Sequence, residues 1–228
     1  MIQRYLLPCL ALLLLTSTFS CKKDSTLAPE PFYRNYFPNQ AGTYIIYACD
    51  SIIYDDFNQS VDTNSFLIKE YYQSVFTDNS GREAIRIERW KKQADTLSWF
   101  LKDVWYCVKT DAQVEKVEED VRYVKLVFPV RDGVEWNGNA LNALDERTFT
   151  MKDVHQSYST GAMNFDSTVT VVNTDPSNLV SEYRSTEIFA ANVGMIYKQF
   201  KDVKYVVPTP VIKSGVVFTM KAIETGVE

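Results

Sequence analysis

The acidic residues are the candidates for catalysis in this 228-residue chain, because several of them are clustered in the sequence. They cluster at Asp55-Asp56, at Glu118-Glu119-Asp120, and at Asp132 with Glu135. A glycoside hydrolase needs two carboxyl groups on either side of the scissile bond, one of them acting as the acid. Acidic residues beside turns are ordinarily solvated, so we expect no catalytic residue in these clusters and keep glycan hydrolysis as a minor alternative.

The single histidine, His155, lies in a segment with strand character. One imidazole does not make a His-rich zinc site, and no cysteine or histidine spacing completes one. The acidic residues between positions 50 and 62 lack the ordered spacing of a calcium loop. The sequence also has no nucleophile elbow, phosphate loop or dinucleotide fingerprint. We therefore predict a protein without metal, cofactor or enzymatic activity.

Aromatic residues are the more suggestive feature, with 14 Tyr, 13 Phe and 4 Trp in the chain. Trp99, Trp105 and Tyr106 lie close together, and Trp136 lies in a turn rich in Gly and Asn. Such side chains line apolar pockets or stack on sugars, so we take these four as candidate ligand-binding residues. Aromatic residues also favour strands and pack β cores. Core packing is the stronger interpretation for Trp99 and Trp105, and the two interpretations are equal for Trp136.

Two cysteines, Cys49 and Cys107, follow aromatic or small residues in apolar segments. In an oxidising compartment they would form one disulfide, which would contribute about 4 kcal/mol by the loop-entropy estimate. The alternative is two separate buried thiols. Neither cysteine has the spacing of a metal or redox motif.

The first 20 residues have the features of a secretory signal: Arg4, an apolar run from Leu6 to Leu15, and small or polar residues before Cys21. The run is too short to remain as a membrane span, which needs about 20 apolar residues. The segment Thr18-Phe19-Ser20-Cys21 resembles the lipobox of bacterial lipoproteins. That resemblance implies cleavage after residue 20 and acylation of Cys21, which would attach the protein to a membrane. An ordinary cleaved signal is the alternative.

Two segments of the body, 128–139 and 189–198, resemble segments of uncharacterised exported lipoproteins of the Bacteroidota, as does the start Cys21-Lys22-Lys23-Asp24. The resemblance implies an anchor in the outer membrane and assigns no activity. In that phylum an acidic cluster after the acylated cysteine resembles a signal for export to the surface. Only Asp24 is acidic here, so both the periplasmic face and the cell surface stay open.

The chain divides into a signal peptide over 1–20, a lipidated cysteine and flexible tether over 21–41, and a β domain over 42–228. The tether contains three prolines and begins to dock near residues 32–37. Alternating apolar residues predict strands in the body, and Asp78-Asn79-Ser80-Gly81 predicts a hairpin turn. Helical spacing is confined to Val114, Val117 and Val121, which fit an exposed strand and turn equally well. The predicted strands lie over 43–54, 66–76, 85–88, 97–108, 123–130, 147–158, 168–172, 180–189, 195–206 and 216–223.

Repeated strands with short polar turns indicate an all-β, antiparallel domain. Such a domain must hide its strand edges. We predict a single strongly curved sheet or barrel-like arrangement of the calycin or half-barrel kind, with a β-sandwich as the alternative.

The formal net charge of −5, with no block of basic residues, argues against a nucleic-acid partner. We predict an outer-membrane-anchored lipoprotein that binds an apolar small molecule, a lipid or a glycan. The alternative is a structural or assembly subunit that docks on a membrane-protein partner. A deep apolar cavity would favour ligand binding, and a filled interior with an exposed aromatic patch would favour the docking subunit.

Overall fold

The computed structural model describes residues 31–37, 39–93, 98–174 and 178–228, so the predicted signal, Cys21 and most of the tether lie outside the described residues. Within these ranges no helix is long and apolar enough to cross a membrane. One short 3₁₀ helix, Arg34–Tyr36, precedes the strands. The strands are β1 (Thr43–Asp55), β2 (Ser60–Thr77), β3 (Glu83–Lys92), β4 (Phe100–Lys109), β5 (Gln113–Glu118), β6 (Val121–Val127), β7 (Glu135–Asn137), β8 (Thr148–Ser159), β9 (Asn164–Thr174), β10 (Ser181–Ala190), β11 (Gly194–Tyr205) and β12 (Ile212–Val227).

The twelve strands of the described residues form one antiparallel sheet in the order β6-β5-β4-β3-β2-β1-β12-β11-β10-β9-β8-β7. The sheet is barrel-shaped and nearly closed, which confirms the prediction of an all-β, strongly curved sheet. The alternative of a β-sandwich is wrong, because every strand belongs to the same sheet. Each strand pairs with its sequence neighbours except at the step from β6 to β7, which are the two edges of the sheet, and β1 pairs with β12 to join the two halves of the meander.

Local sequence explains the hairpins. At the β2–β3 turn the Asp78 carboxylate accepts the backbone N–H groups of Ser80 and Arg82, both at 2.9 Å. Gly81 takes a positive φ of 76°, which glycine adopts without steric cost. The predicted turn at residues 78–81 is therefore present, and it sets the register of the β2–β3 hairpin.

The concave face of the sheet carries the core. Ile45, Tyr47 and Cys49 of β1 alternate with less buried residues, as a strand with one covered face requires. Ile68 and Tyr72 of β2 extend the same pattern. Burial of each large apolar side chain contributes about 1.5–3 kcal/mol, so this alternation accounts for much of the folding free energy.

Strand β5 differs from its predicted form. Its valine spacing allowed a helix or an exposed strand, whereas the structure has a strand in which residues 114–117 are all buried. Both faces of the strand are covered. On one face Lys116 points into the interior and pairs with Glu70. On the other face Glu115 pairs with Arg82 at 3.0 Å and with Arg122 at 2.6 Å. Strand β7 was not predicted, since three residues are too few for an alternation signal.

The edges of the sheet meet between β6 and β7. The backbone N–H of Val124 donates to the carbonyl of Gly138 at 2.9 Å, and the Trp136 indole N–H donates to the Val124 carbonyl at 2.9 Å. The Trp136 ring stacks on Phe149 with centroids 5.9 Å apart. These contacts satisfy edge groups that a flat sheet would leave exposed.

The segment before β1 packs against the body, and the compact unit begins at Phe32. Tyr36 and Phe37 are buried, and the Phe37 ring contacts Tyr72 and Phe189 at centroid distances of 6.2 and 6.3 Å. The Asn192 N–H, in the β10–β11 turn, donates to the Asn35 carbonyl at 2.7 Å. The predicted docking near residues 32–37 therefore takes place at the end of the sheet that carries this turn.

Cys49 and Cys107 are free, buried thiols, which is the second of the two alternatives. Cys49 lies on β1 and Cys107 on β4, with β2 and β3 between them. Three strand spacings amount to about 14 Å in a sheet. A disulfide needs Cα atoms within about 7 Å, so the predicted pairing of Cys49 with Cys107 does not form.

Candidate functional site

Within the described part of the chain, nine charged side chains lie on or beside the concave face, where apolar residues are the norm for a β core. They come from seven different strands, and ion pairs of at most 3.9 Å connect them into one series. We call this series the interior ion-pair network. Its members, in order of contact, are Lys102, Asp103, Arg89, Glu70, Lys116, Glu118, Lys125, Glu187 and Lys198.

Glu70 is the centre of one half of the network. Its carboxylate, which is 1% exposed, accepts hydrogen bonds from Arg89 Nε at 3.0 Å and from Lys116 Nζ at 3.0 Å. The Arg89 guanidinium lies 3.7 Å from the centroid of the Trp105 ring, and Lys116 Nζ lies 4.7 Å from it. A buried carboxylate is tolerated when it is fully paired, and the Trp105 ring face adds a favourable contact for both cations.

Glu187 is the centre of the other half. Its Oε1 atom accepts a hydrogen bond from Lys125 Nζ at 2.6 Å and lies 3.2 Å from Lys198 Nζ. Burial would raise the pKa of Glu187, but Lys125 and Lys198 outweigh burial and hold it below its usual range. Burial likewise opposes the charge of Lys125, and Glu187 with Glu118 overcomes it and raises the Lys125 pKa. Glu187 and Lys125 are therefore both charged at neutral pH.

Glu118 connects the two halves loosely. Its carboxylate lies 3.8 Å from Lys116 Nζ and 3.9 Å from Lys125 Nζ, and it accepts no hydrogen bond from the described residues. Burial would raise the pKa of Glu118, yet Lys125, Lys198 and Lys116 lower it to about 2. Glu118 is thus an ionised counter-ion that is held by charge rather than by direct hydrogen bonds.

Two interior cavities flank Glu118. The first has a volume of about 200 Å³ and lies among β5, β6, β8, β9, β10 and β11. Its aromatic and neutral polar walls are Tyr123, Phe149, Tyr183, Phe200, Asn139 and Ser185. The second has a volume of about 250 Å³, and its apolar walls are Phe66, Ile68, Trp105, Met195, Phe200, Phe218 and Met220.

Three residues, Glu118, Lys198 and Phe200, line both cavities. The interior space is therefore one region with a charged centre and aromatic walls. It offers cations, carboxylates, phenol hydroxyls and ring faces to a small ligand. This region is the candidate functional site.

The structure brings one of the four predicted aromatic residues into this region. Trp105 lines the second cavity. Tyr106 faces the other side of the sheet, where its hydroxyl accepts a hydrogen bond from Arg122 at 3.0 Å and its ring contacts Phe76. Trp136 lies at the β6–β7 junction, and Trp99 precedes β4 with its ring 5.9 Å from Lys92 Nζ.

His155 lies away from the interior cavities. Its Nδ1 atom is 2.6 Å from the Tyr36 hydroxyl, which is also 2.7 Å from the Ser167 hydroxyl. The backbone of β8 is irregular here, with positive φ at Asp153 and His155. These contacts hold the buried Tyr36 against the sheet. The role they define is attachment of the segment before β1.

Among the three predicted carboxylate clusters, only Glu118 enters the interior. Asp55 accepts the backbone N–H groups of Phe57 and Asn58 in the β1–β2 turn, and Asp132 accepts the N–H of Val154 at 3.2 Å. No group of three or more His, Cys, Asp or Glu residues in the described ranges is placed to hold a metal ion.

Sequence reasoning missed Glu70, Lys125, Glu187 and Lys198. The signal for Glu70 was present, because it shares strand parity with the inward residues Ile68 and Tyr72. Glu187 likewise shares parity with the buried Phe189. Lys125 gave no such signal, since a bulge where β6 pairs with β5 breaks the alternation beside it.

No family model matches the chain, and no curated protein does. Two solved structures are similar to it. One is a protein provisionally designated a lipoprotein, from Parabacteroides distasonis, with 12% identity, a TM-score of 0.44 and coverage of 84% of this chain and 98% of the other. The second is a protein with a YmcC-like fold, provisionally designated as exported, from Bacteroides fragilis, with 11% identity, a TM-score of 0.38 and coverage of 83% and 98%.

Proposed function

We propose that this protein is an outer-membrane-anchored lipoprotein, acylated at Cys21, whose β body binds a small ligand inside the sheet without catalysing a reaction. The observation that carries the proposal is the interior region on which the two cavities converge, at Glu118, Lys198 and Phe200. A core built for stability alone would fill such a space with apolar side chains, because interiors pack to high density. The chain instead keeps charges and open volume there.

The chemistry of the walls favours a polar ligand over a purely apolar one. The nine residues of the interior ion-pair network interrupt the concave face, so the interior offers no long apolar channel for an acyl chain. The aromatic residues Tyr183 and Phe200 stand beside Lys198 and Ser185. Ring faces combined with a few polar groups are typical of sites for small polar molecules. Of the ligands that the sequence predicts, a glycan fits this interior best.

The pKa values support a binding role over hydrolysis. A glycosidase needs one carboxyl group that carries a proton at working pH. In the interior, the surrounding lysines lower the pKa values of both Glu118 and Glu187, so both carboxylates are ionised. Neither residue can donate the proton to a leaving group at neutral pH.

Docking on a protein partner is the second candidate, and exposed apolar residues favour it. Phe57 is 93% exposed in the β1–β2 turn, and Leu179 is 84% exposed before β10. Val207 and Val211 are also exposed in the β11–β12 connection. Exposed apolar groups of this kind mark interaction surfaces in many proteins. Cross-linking in cells from a site beside Leu179, with Val75 as the exposed control, would capture a defined partner if docking is the main role.

The methionines provide a direct test of ligand binding. Met195 and Met220 line the second cavity, whereas Met163 lies in the β8–β9 turn. The chain from residue 21 onward, with Cys21→Ser to prevent acylation, would be labelled at the methionine methyl carbons and titrated with sugars and fatty acids. We expect a ligand that shifts the Met195 and Met220 signals in a saturable way and leaves Met163 unchanged. A panel that shifts none of these signals, or Met163 alone, would refute binding in the interior.

The anchor has its own test. Full-length protein expressed in a bacterial host should incorporate labelled palmitate and sediment with the membranes. Cys21→Ser should abolish both, while the control Cys49→Ser should change neither. Labelling that survives Cys21→Ser would refute the assignment of this anchor.

A further inference from the structure

The lining of the two cavities carries an excess of positive charge. Among the described residues it includes six cations and three carboxylates, and a fourth carboxylate, Asp103, pairs with two of these cations, Arg89 and Lys102. The whole chain, in contrast, has a formal net charge of −5. A lining with more cations than carboxylates, within a protein of net negative charge, favours the binding of an anion. The cations are Arg89, Lys102, Lys116, Lys125, Arg147 and Lys198.

Glu118 is the resident anion at the centre of this lining. Glu70 and Glu187 accept direct hydrogen bonds of 3.0 and 2.6 Å from lysines. Glu118 approaches its lysines only to 3.8 and 3.9 Å. A second carboxylate that made direct hydrogen bonds to Lys116, Lys125 or Lys198 would therefore exchange weak contacts for stronger charge-assisted ones.

The neutral walls indicate the rest of the ligand. Tyr123, Tyr183, Asn139 and Ser185 provide hydrogen-bonding groups in the first cavity, and Phe149 and Phe200 provide ring faces. Hydroxyl groups on a compact ring match this combination. The cavity volumes of about 200 and 250 Å³ suit a single ring unit, since pockets for drug-sized ligands occupy roughly 300–1,000 Å³.

We propose that the interior site binds an acidic sugar unit, whose carboxylate takes the position of the Glu118 carboxylate among Lys116, Lys125 and Lys198. This inference rests on the proposed function and specifies its ligand class. On binding, the Glu118 side chain moves away from the lysines and the sugar ring lies against Phe200. No bond is made or broken, and the protein releases the sugar unchanged.

The test compares sugars that differ in one carboxylate. D-Glucuronate is compared with D-glucose, and D-galacturonate with D-galactose, by titration of the methyl-labelled protein used for the methionine test. We expect at least one acidic sugar to bind about tenfold or more tightly than its neutral counterpart, with shifts at Met195 and Met220. Raising the salt concentration should weaken binding of the acidic sugar and leave the affinity for any neutral sugar unchanged.

Two variants test the role of Glu118 and Lys198. Glu118→Gln removes the resident negative charge, so it should strengthen binding of the acidic sugar several-fold. Lys198→Met removes a cation that would contact the sugar carboxylate, so it should weaken binding of the acidic sugar about tenfold or more. The exposed residues Glu83 and Lys221 provide matched controls, and Glu83→Gln and Lys221→Met should leave affinity unchanged. Urea unfolding of each variant confirms that it folds, and Glu118→Gln decides the question if Lys198→Met does not fold.

The outcomes separate this inference from the proposed function. Equal affinity for acidic and neutral sugars would overturn the acidic-sugar assignment, as would weaker or unchanged binding in Glu118→Gln. Shifts at Met195 and Met220 with a neutral sugar or a fatty acid, but with neither acidic sugar, would also overturn it while leaving interior binding intact. Failure of every ligand to shift these two signals would refute both the acidic-sugar assignment and ligand binding in the interior.

Discussion

Trp136 and Val124 join the two edges of the sheet through a hydrogen bond of 2.9 Å from the indole N–H to the backbone carbonyl. Val124 also donates its own N–H to Gly138, so both of its backbone groups are used at the junction of β6 and β7. The same Trp136 ring stacks on Phe149, which lines the first interior cavity. The Trp136 side chain therefore contributes both to the closure of the sheet and to the shape of the cavity.

Substitutions of Trp136 should separate the contribution of its hydrogen bond to stability from the contribution of its packing. Trp136→Phe keeps a ring against Phe149 and loses the indole donor, so we expect a loss of about 1 kcal/mol in the free energy of unfolding. Trp136→Ala also removes the packed ring and should cost about 3 kcal/mol. Trp99→Phe is the matched control, because Trp99 makes no such contact, and it should change stability by less than about 0.5 kcal/mol. Urea unfolding measures all three, and equal losses for Trp99→Phe and Trp136→Phe would contradict the role of the junction.

Gly215 should be intolerant of any side chain. Its φ is +124°, and a Cβ atom there would lie 2.1 Å from the Asp202 carbonyl oxygen and 2.7 Å from the Val203 Cα atom of the paired strand. Gly161 has a comparable φ of +92° with open space around the Cβ position. Gly161→Ala should cost only the backbone strain of about 1–2 kcal/mol. Gly215→Ala should cost at least about 2 kcal/mol more, because backbone atoms must move apart. Similar thermal unfolding midpoints for the two variants would contradict the close packing of β11 on β12.

The two free thiols should be inert in the native protein. Burial raises the pKa of both Cys49 and Cys107 to about 12. Since the thiolate is the reactive form, a thiol reagent at pH 8 should leave both unmodified until the protein is unfolded. In the chain from residue 21 onward with Cys21→Ser, titration in denaturant should then find two thiols. A reductant should not change the unfolding midpoint, and a midpoint that falls on reduction would indicate a disulfide instead.

Acid should weaken the interior ion-pair network. The pKa of Glu118 is about 2 in the folded protein, below the ordinary value of 4.5. Its contribution to the free energy of unfolding is therefore complete above about pH 4.5 and is lost as pH falls towards 2. Glu187 shifts in the same direction. By linkage, the shift of Glu118 corresponds to on the order of 3 kcal/mol at neutral pH.

Urea unfolding at pH 7, 5 and 3 measures this dependence. The free energy of unfolding should fall between pH 5 and 3, and Glu118→Gln should reduce the fall, while the exposed control Glu83→Gln should not. A wild-type protein whose stability is constant down to pH 3 would show that these carboxylates are not paired as the structure has them.

Alternation and turn chemistry were enough to predict the class of fold, because they act over a few residues. Ile68 and Tyr72 mark one face of β2, and Asp78 with Gly81 marks its turn. The closure at Val124 and Gly138 is a non-local contact with no local signal. The site escaped prediction for a related reason. The strand parity of Glu70 placed it inward, but a buried carboxylate is expected only when its partners on other strands, here Arg89 and Lys116, are known.

The most direct test of sugar binding inside the sheet is a set of intermolecular nuclear Overhauser effects between the methionine methyl groups and a bound sugar. Met220 is the cross-strand neighbour of Lys198, so its methyl group reports on the proposed carboxylate position. With D-galacturonate or D-glucuronate bound, we expect contacts from ring protons to Met220 and Met195 and none to Met163. Sugar contacts at Met163 without contacts at Met220 would place the ligand outside the sheet and contradict the account.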